Sequence, residues 1–286
     1  MECDEDELKR DFTVAKPYNQ TTHQTTHQAI SDRKQPMWTY PRIFAHRGAG
    51  TLAPENTLAA LRHGVSLGAQ AVEFDVMAVR DDGLVLMHDE VLGRTVIGSG
   101  SVGALSAAEL QAMDAGSWFA AAFAGEPVPS FAQAADYCLQ ERLFMNVEIK
   151  PLPGEEARTG RLVAQACASL PSGSVLLSSF SAQALVAAQM IAPELPRALL
   201  VETLPTDWAA KLSALSAVAL HAKASLLTAP QAAAIKAAGY GLFCYTVNEP
   251  VQARALFAMG VDAICTDRLD LIGPNFFDDG TSPTDR

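Results

Sequence analysis

The 286-residue chain is poor in cysteine, in basic charge and in long apolar runs. Its five cysteines, Cys3, Cys138, Cys167, Cys244 and Cys265, are odd in number and scattered, with no Cys-x-x-Cys spacing. That argues against a disulfide framework or a zinc cluster and favours a reducing compartment. Only 21 Lys and Arg stand against 32 Asp and Glu, a formal charge of −11. Up to Pro41 the chain holds seven acids and five bases, so −2 lies there and −9 in the body that follows. A nucleic-acid backbone or an anionic membrane calls for the opposite sign, so neither is expected as the main partner. No apolar run approaches a membrane span. The acidic start, Asp4 to Glu7, with no apolar run behind it, is the reverse of a secretory leader. The expectation is a cytoplasmic protein. No Walker-type glycine loop is present, which speaks against nucleotide hydrolysis of that kind.

What is there is apolar material in a regular rhythm. Hydrophobic residues make up 49% of the chain and charged ones 19%. That is ample for a sizeable core. Residues 1–40 read as a polar, flexible extension. Thr-Thr-His-Gln occurs there twice in tandem, and its His23 and His27 fit a tail better than a metal site. From Pro41 onward short apolar runs alternate with amphipathic stretches. Strands are expected at 43–45, 71–79, 84–87, 143–149, 175–178, 198–201, 217–220, 242–246 and 263–265. A helix through Leu58, Leu61 and Val65 is expected to stop at Gly68. Residues 89–128, with Gly93, Gly98, Gly100 and Gly103, are too long for an ordinary loop and read as an inserted cap. Taking the second-strand region once gives eight strand–helix units over residues 41–275, and residues 276–286 are a short tail. The fold class is α/β, a (β/α)8 TIM barrel with the cap after the second strand region. A doubly wound open sheet is the alternative.

Four clusters sit where strand patterns end, the edge at which a parallel barrel collects its chemistry. Ala45-His46-Arg47-Gly48 ends the first strand. Its histidine can exchange a proton near neutral pH, and the guanidinium can grip two phosphate oxygens. In Glu73-Phe74-Asp75 the two carboxylates, two residues apart, share one face of a strand. They repel each other unless a cation sits between them. Met87-His88-Asp89 supplies a second proton carrier. In Glu148-Ile149-Lys150 a third carboxylate shares its face with a cation suited to a phosphate oxygen. Taken singly, each cluster is more easily an exposed acid pair, a turn histidine or a surface ion pair. Together they meet the needs of phosphoryl transfer: a cation, phosphate clamps, an acid and a base. With oxygen ligands only, Mg²⁺ or Ca²⁺ is expected rather than zinc.

These stretches resemble the glycerophosphodiester phosphodiesterase family, bacterial cytoplasmic type. The opening signature is Phe44-Ala45-His46-Arg47-Gly48 followed by Ala53-Pro54-Glu55-Asn56-Thr57. Val72-Glu73-Phe74-Asp75-Val76, Asp82-Gly83 and His88-Asp89 follow, then Arg94-Thr95 and the segment from Asp114 to Phe119. Glu148-Ile149-Lys150, Ser178-Ser179-Phe180, Thr246-Val247-Asn248 and the segment from Asp262 to Asp267 complete the order, from about Arg42 to Ile272. The resemblance implies one divalent metal on Glu73, Asp75 and Glu148, acid and base roles for His46 and His88, and phosphate binding by Arg47 and Lys150. It makes Asn56 a support of the site and puts Phe180, the Thr246–Asn248 strand end and Tyr245 just before it along the substrate cleft. Tyr245 stands where the family often has Trp, and Val96 where a second Thr often follows Arg94-Thr95.

The implied reaction is hydrolysis of a glycerophosphodiester such as glycerophosphocholine to glycerol 3-phosphate and an alcohol. The nucleophile is either water or the neighbouring glycerol hydroxyl, and phosphorus NMR of a cyclic phosphate would separate the two. Two alternatives stand beside it: a lysophospholipid substrate, entering over an apolar cap around residues 115–123, and a binding barrel without catalysis.

Overall fold

The computed structural model describes residues 38–277, which belong to one compact unit. The tandem Thr-Thr-His-Gln stretch and most of both terminal segments lie outside the described residues. Nine strands form one sheet: β1 (Ile43–Ala45), β2 (Ala71–Ala78), β3 (Leu84–Leu86), β4 (Phe144–Ile149), β5 (Val175–Ser179), β6 (Arg197–Val201), β7 (Ala219–Lys223), β8 (Gly241–Tyr245) and β9 (Ala263–Thr266). All but β3 pair in parallel, and β1 bonds to both β2 and β9, so the eight parallel strands close on themselves. That closure decides against the open sheet. β3 is a short antiparallel return on the end of β2.

Helices α1 (Leu58–Ser66), α3 (Phe131–Gln140), α4 (Glu156–Ala168), α5 (Ala182–Ile191), α6 (Trp208–Ala214), α7 (Ala229–Ala237) and α8 (Pro250–Ala258) link successive barrel strands, while α2 (Ala107–Gln111) lies in the long β3–α3 connection. After β9 the chain turns through residues 268–277 without forming an eighth outer helix among the described residues. Helix starts are set by local chemistry. Thr57 accepts the Ala60 N–H, and Ser130 with Gln133 makes a reciprocal capping box. Each cap contributes about 1 kcal/mol.

Alternation along each strand divides the labour. Val72, Phe74 and Val76, like Met145, Val147 and Ile149, point outward into the large core shared with the helices. Their neighbours point inward. Phe44, Ala71, Phe144, Leu176, Ala198, Ala219, Phe243, Ala263 and Cys265 fill the lower barrel. Buried large apolar side chains contribute about 1.5–3 kcal/mol each, so the two apolar layers can stabilise the fold while the upper inward positions stay polar. Those positions include His46, Glu73, Asp75, Asn146, Glu148, Ser178, His221, Lys223, Tyr245 and Asp267.

The floor is closed by residues just ahead of β1. Trp38 and Tyr40, at the end of the stretch read as polar extension, pack beneath the barrel. The Tyr40 ring lies 4.7 Å from that of Phe144 and the Trp38 ring 6.2 Å from that of Phe243. Gly241 makes room for this plug, since a methyl there would stand 2.7 Å from the indole.

The connection after β3 builds a small core of its own. Val96, Val102, Leu110, Ala115 and Val128 pack on Met77, Val79, Val85 and Met87. Further along the same connection Trp118, Phe119 and Phe123 run edge to face with centroids 5.6 Å apart, and Phe123 packs on the small cluster of Ala49, Ala53 and Ala60.

Candidate active site

Register places the acids. Asp75 and Glu148 are direct Cα partners across β2 and β4, and Glu73 pairs with Asn146 one step lower. All four therefore face the barrel interior. Ligand oxygens of Glu73, Asp75 and Glu148 lie within 4.8 Å of one another. Glu73 and Asp75 are 5% and 1% exposed. Water and salt therefore screen their repulsion little.

The three carboxyls respond differently to that crowding. Burial, then the charges of Asp75 and Glu148, push Glu73 well above the usual carboxylate range. Burial and the Asp75 charge push Glu148 up to about 8. Burial would raise Asp75 too, but Lys150, Arg47, His88 and the Asn56 amide outweigh it and hold it below its ordinary value. Two of three buried acids are thus driven towards taking up protons, as expected of an all-oxygen cluster suited to a hard divalent cation.

The β1–α1 turn wraps one side of the acids. Arg47 has φ 50° and Asn56 φ 56°. These left-handed conformations cost arginine more than asparagine. Both residues are tied down. The Arg47 N–H donates to Glu73 Oε2 (3.1 Å), and the Asn56 N–H donates to the Arg47 carbonyl (3.0 Å). Asn56 Nδ2 donates to Asp75 Oδ2 at 2.9 Å, and its Oδ1 accepts the Asp75 N–H at 3.2 Å. The Arg47 guanidinium donates from Nη1 to Glu55 Oε1 at 2.7 Å, and its Nε lies 3.4 Å from Asp75 Oδ2. Burial works against that guanidinium's charge, but Asp75, Glu55 and Glu73 outweigh it. On the other side Lys150 Nζ lies 3.4 Å from Asp75 Oδ1 and 3.8 Å from Glu148 Oε1.

Both histidines are held by an aspartate on Nδ1. His46 Nδ1 is 2.6 Å from Asp267 Oδ1, and its Nε2 faces Glu73 Oε2 at 3.8 Å. Asp267 is itself fixed by Asn248, whose Nδ2 donates to Asp267 Oδ2 (2.9 Å) and whose Oδ1 accepts the Asp267 N–H (2.8 Å). His88 Nδ1 is 2.8 Å from Asp89 Oδ1. Burial lowers the His88 pKa. An aspartate on Nδ1 leaves Nε2 as the working atom of each ring.

His46, Arg47, Asn56, Glu73, Asp75, Glu148 and Lys150 are therefore brought into one contiguous site, with His88 beside it. Phe180 and Tyr245 form a separate edge-to-face pair at 5.7 Å, and the Tyr245 hydroxyl donates to the Val201 carbonyl. Asp267, Glu55, Asp89 and Arg94 carry no role on sequence grounds, and Asn248 only one as part of a cleft wall. All five lie in the family-like stretches, and only three-dimensional contact singles them out.

Gly50 sets the distance between the β1 turn and Asp267. Thr51 N–H donates to the Asp267 carbonyl at 3.1 Å, and a methyl on Gly50, at φ +58°, would overlap the Asp267 backbone. Gly50→Ala is expected to displace the partner of His46 and lower kcat by up to about 10²-fold, the cost of a displacement near ~1 Å. Steady-state rates with a parallel melting curve check this. An unchanged kcat would show that the contact does not govern His46.

Similarity to known proteins agrees with this geometry. The model of the glycerophosphoryl diester phosphodiesterase family matches residues 46–271. YhdW of Bacillus subtilis is 34% identical over 238 residues, covering 80% of this chain and 96% of that protein. A glycerophosphodiester phosphodiesterase of Caldanaerobacter subterraneus is 31% identical over 230 residues, 79% of this chain and 93% of that one. Among solved structures, an Oleispira antarctica phosphodiesterase in complex with the product sn-glycerol-3-phosphate superposes with a TM-score of 0.80 at 34% identity, over 84% of this chain and 97% of that one. The chain belongs to the glycerophosphoryl diester phosphodiesterase family and is a phosphodiester hydrolase.

Proposed function

We propose that the enzyme hydrolyses glycerophosphodiesters such as glycerophosphocholine to sn-glycerol 3-phosphate and an alcohol, with one Mg²⁺ or Ca²⁺ held by Glu73, Asp75 and Glu148. The observation that carries this is the convergence of three inward carboxyls, two cationic side chains and two aspartate-backed histidines on one end of the barrel. The product held by the Oleispira antarctica relative supports the choice of substrate class.

When bound, the cation supplies charge stabilisation to the phosphate oxygens. The protein's own groups do the rest. Arg47 offers a planar fork and Lys150 a point charge to the phosphate, each pre-set by carboxylates that hold it still. His46 and His88 share the proton work through their Nε2 atoms. One takes the proton of the nucleophile, water or the neighbouring glycerol hydroxyl, and the other gives one to the leaving alcohol. Asn56 holds Asp75 in place. The Phe180–Tyr245 pair lines the cleft beside the reacting centre. Four free, buried cysteines among the described residues support a cytoplasmic setting. The net charge of −11 favours a small molecule over nucleic acid as partner.

The test is sn-glycerol 3-phosphate release from glycerophosphocholine with Mg²⁺, Ca²⁺ or chelator, for wild type and Glu73→Ala. Cation-dependent release that the substitution removes is expected. Absence of release with either cation, set against turnover of lysophosphatidylcholine, would replace the substrate.

A further inference from the structure

Arg94 stands apart from the acid cluster, on a tight loop of the long β3–α3 connection. That loop is well fixed: Leu92 N–H donates to the Gly100 carbonyl at 3.0 Å, Gly93 N–H to that of Val96 at 2.9 Å, and Val91 bridges Ser101. From it, one guanidinium reaches two carboxylates at once. Nη1 and Nη2 donate to Glu55 Oε2 and Oε1 at 2.7 and 2.8 Å. Nε and Nη2 donate to Asp89 Oδ2 and Oδ1 at 2.6 and 3.0 Å. Each carboxylate is the partner of a group that would meet substrate. Glu55 Oε1 also accepts from Arg47, and Asp89 Oδ1 also holds His88 Nδ1.

We propose that Arg94 is a positioning residue that fixes the phosphate clamp and a proton carrier together, through Glu55 behind Arg47 and Asp89 behind His88. This rests on the proposed roles of Arg47 and His88.

The physical case is geometric. Two bidentate pairs fill the guanidinium's donor fork on both edges, an arrangement a lysine's single ammonium cannot copy. Lone surface ion pairs contribute little to stability, and Arg94 is nearly half exposed. Its removal should therefore leave the fold intact while loosening two working groups. Glu55, released by Arg94, would pair with Arg47 alone and draw its guanidinium off the phosphate position. Asp89 would lose the contact that fixes its rotamer, and with it the aim of the His88 ring. Neither route needs Arg94 to touch substrate.

The experiment compares wild type, Arg94→Ala, Arg94→Lys and His88→Ala for glycerophosphocholine turnover, sn-glycerol 3-phosphate binding by calorimetry, and melting temperature. Arg94→Ala is expected to lose about 10- to 100-fold in kcat/KM, to bind product more weakly and to melt near the wild-type temperature. Added guanidinium ion should restore part of its rate, because the vacated position is open to solvent, and should do nothing for His88→Ala. Arg94→Lys should stay closer to Arg94→Ala than to wild type. Near wild-type turnover in either Arg94 variant, or a loss that guanidinium leaves unchanged at an unaltered melting temperature, would overturn the proposal. A wild type without turnover of any glycerophosphodiester would overturn the underlying reading, and this one with it.

Discussion

Glu148→Gln is expected to abolish turnover and at the same time make the cation-free protein more stable. The loss of activity follows from removing one of three charges that would hold the cation, a change expected to cost about 10³-fold through several kcal/mol of transition-state stabilisation. The gain in stability follows from the crowding of the same charges. Glu148 is held near pKa 8 in the fold against an ordinary value of 4.5. A carboxyl whose folded pKa is raised binds its proton more tightly folded than unfolded. Its favourable contribution is complete below pH 4.5, is lost as pH rises, and is gone above about 8. At pH 8 the charged Glu148 thus costs the cation-free fold on the order of a few kcal/mol. Glutamine carries no such cost. For a chain of this size, about 2–4 °C of melting temperature corresponds to each kcal/mol. Melting curves in chelator at pH 5 and pH 8 should show the wild type falling with pH and the variant falling less. Adding Mg²⁺ or Ca²⁺ should raise the wild-type temperature and leave the variant's nearly unchanged. A variant that still gains stability from cation would remove Glu148 from the ligand set.

His46→Ala should lose about 10²- to 10⁴-fold in kcat, the range of a positioned acid or base. Asp267→Asn should lose less, about 10- to 100-fold, because it keeps the ring's neighbour but weakens its hold on Nδ1. Neither residue grips the phosphate in the proposed reading, so KM should move much less than kcat. The double variant carries the sharper test. If Asp267 acts only through His46, adding Asp267→Asn to His46→Ala should cost almost nothing more. A further large loss would give Asp267 a direct role, such as contact with substrate. Melting curves for all three variants separate this from loss of structure, since Asp267 also braces Asn248 through two hydrogen bonds.

Much of this site was legible in the sequence, because strand periodicity carries both fold and chemistry. Glu73 and Asp75 sit among Val72, Phe74 and Val76, so the alternation that buries one face also assigns the acids to the other. The same rule placed Glu148 and Lys150. It worked less well at β7, expected at 217–220 and found at Ala219–Lys223. There the inward residues are His221 and Lys223, and a strand that ends in inward polar groups reads like a loop. His221 is buried and stacked on Phe243 at 4.3 Å, an arrangement that packing alone produces. The supports of the site were not legible. Asp267 meets His46 across 221 residues of chain, and Arg94 meets Glu55 across 39. No local spacing encodes such contacts; barrel closure and the folding of the insertion create them.

The aromatic floor has a consequence for traffic. With Trp38 and Tyr40 seated beneath Phe144 and Phe243, the described residues leave the barrel no rear exit. The diester would then enter, and both fragments leave, at the end of the barrel that carries the acids. In the proposed reading the phosphate monoester would keep the phosphate contacts of the diester and gain a charge, so it should be the slower fragment to depart and should block the next substrate while it stays. With Arg47 and Lys150 holding the phosphate, as proposed, the rate of the whole cycle would then depend on how firmly they grip as well as on how fast the bond breaks, and a tighter clamp would make a slower enzyme.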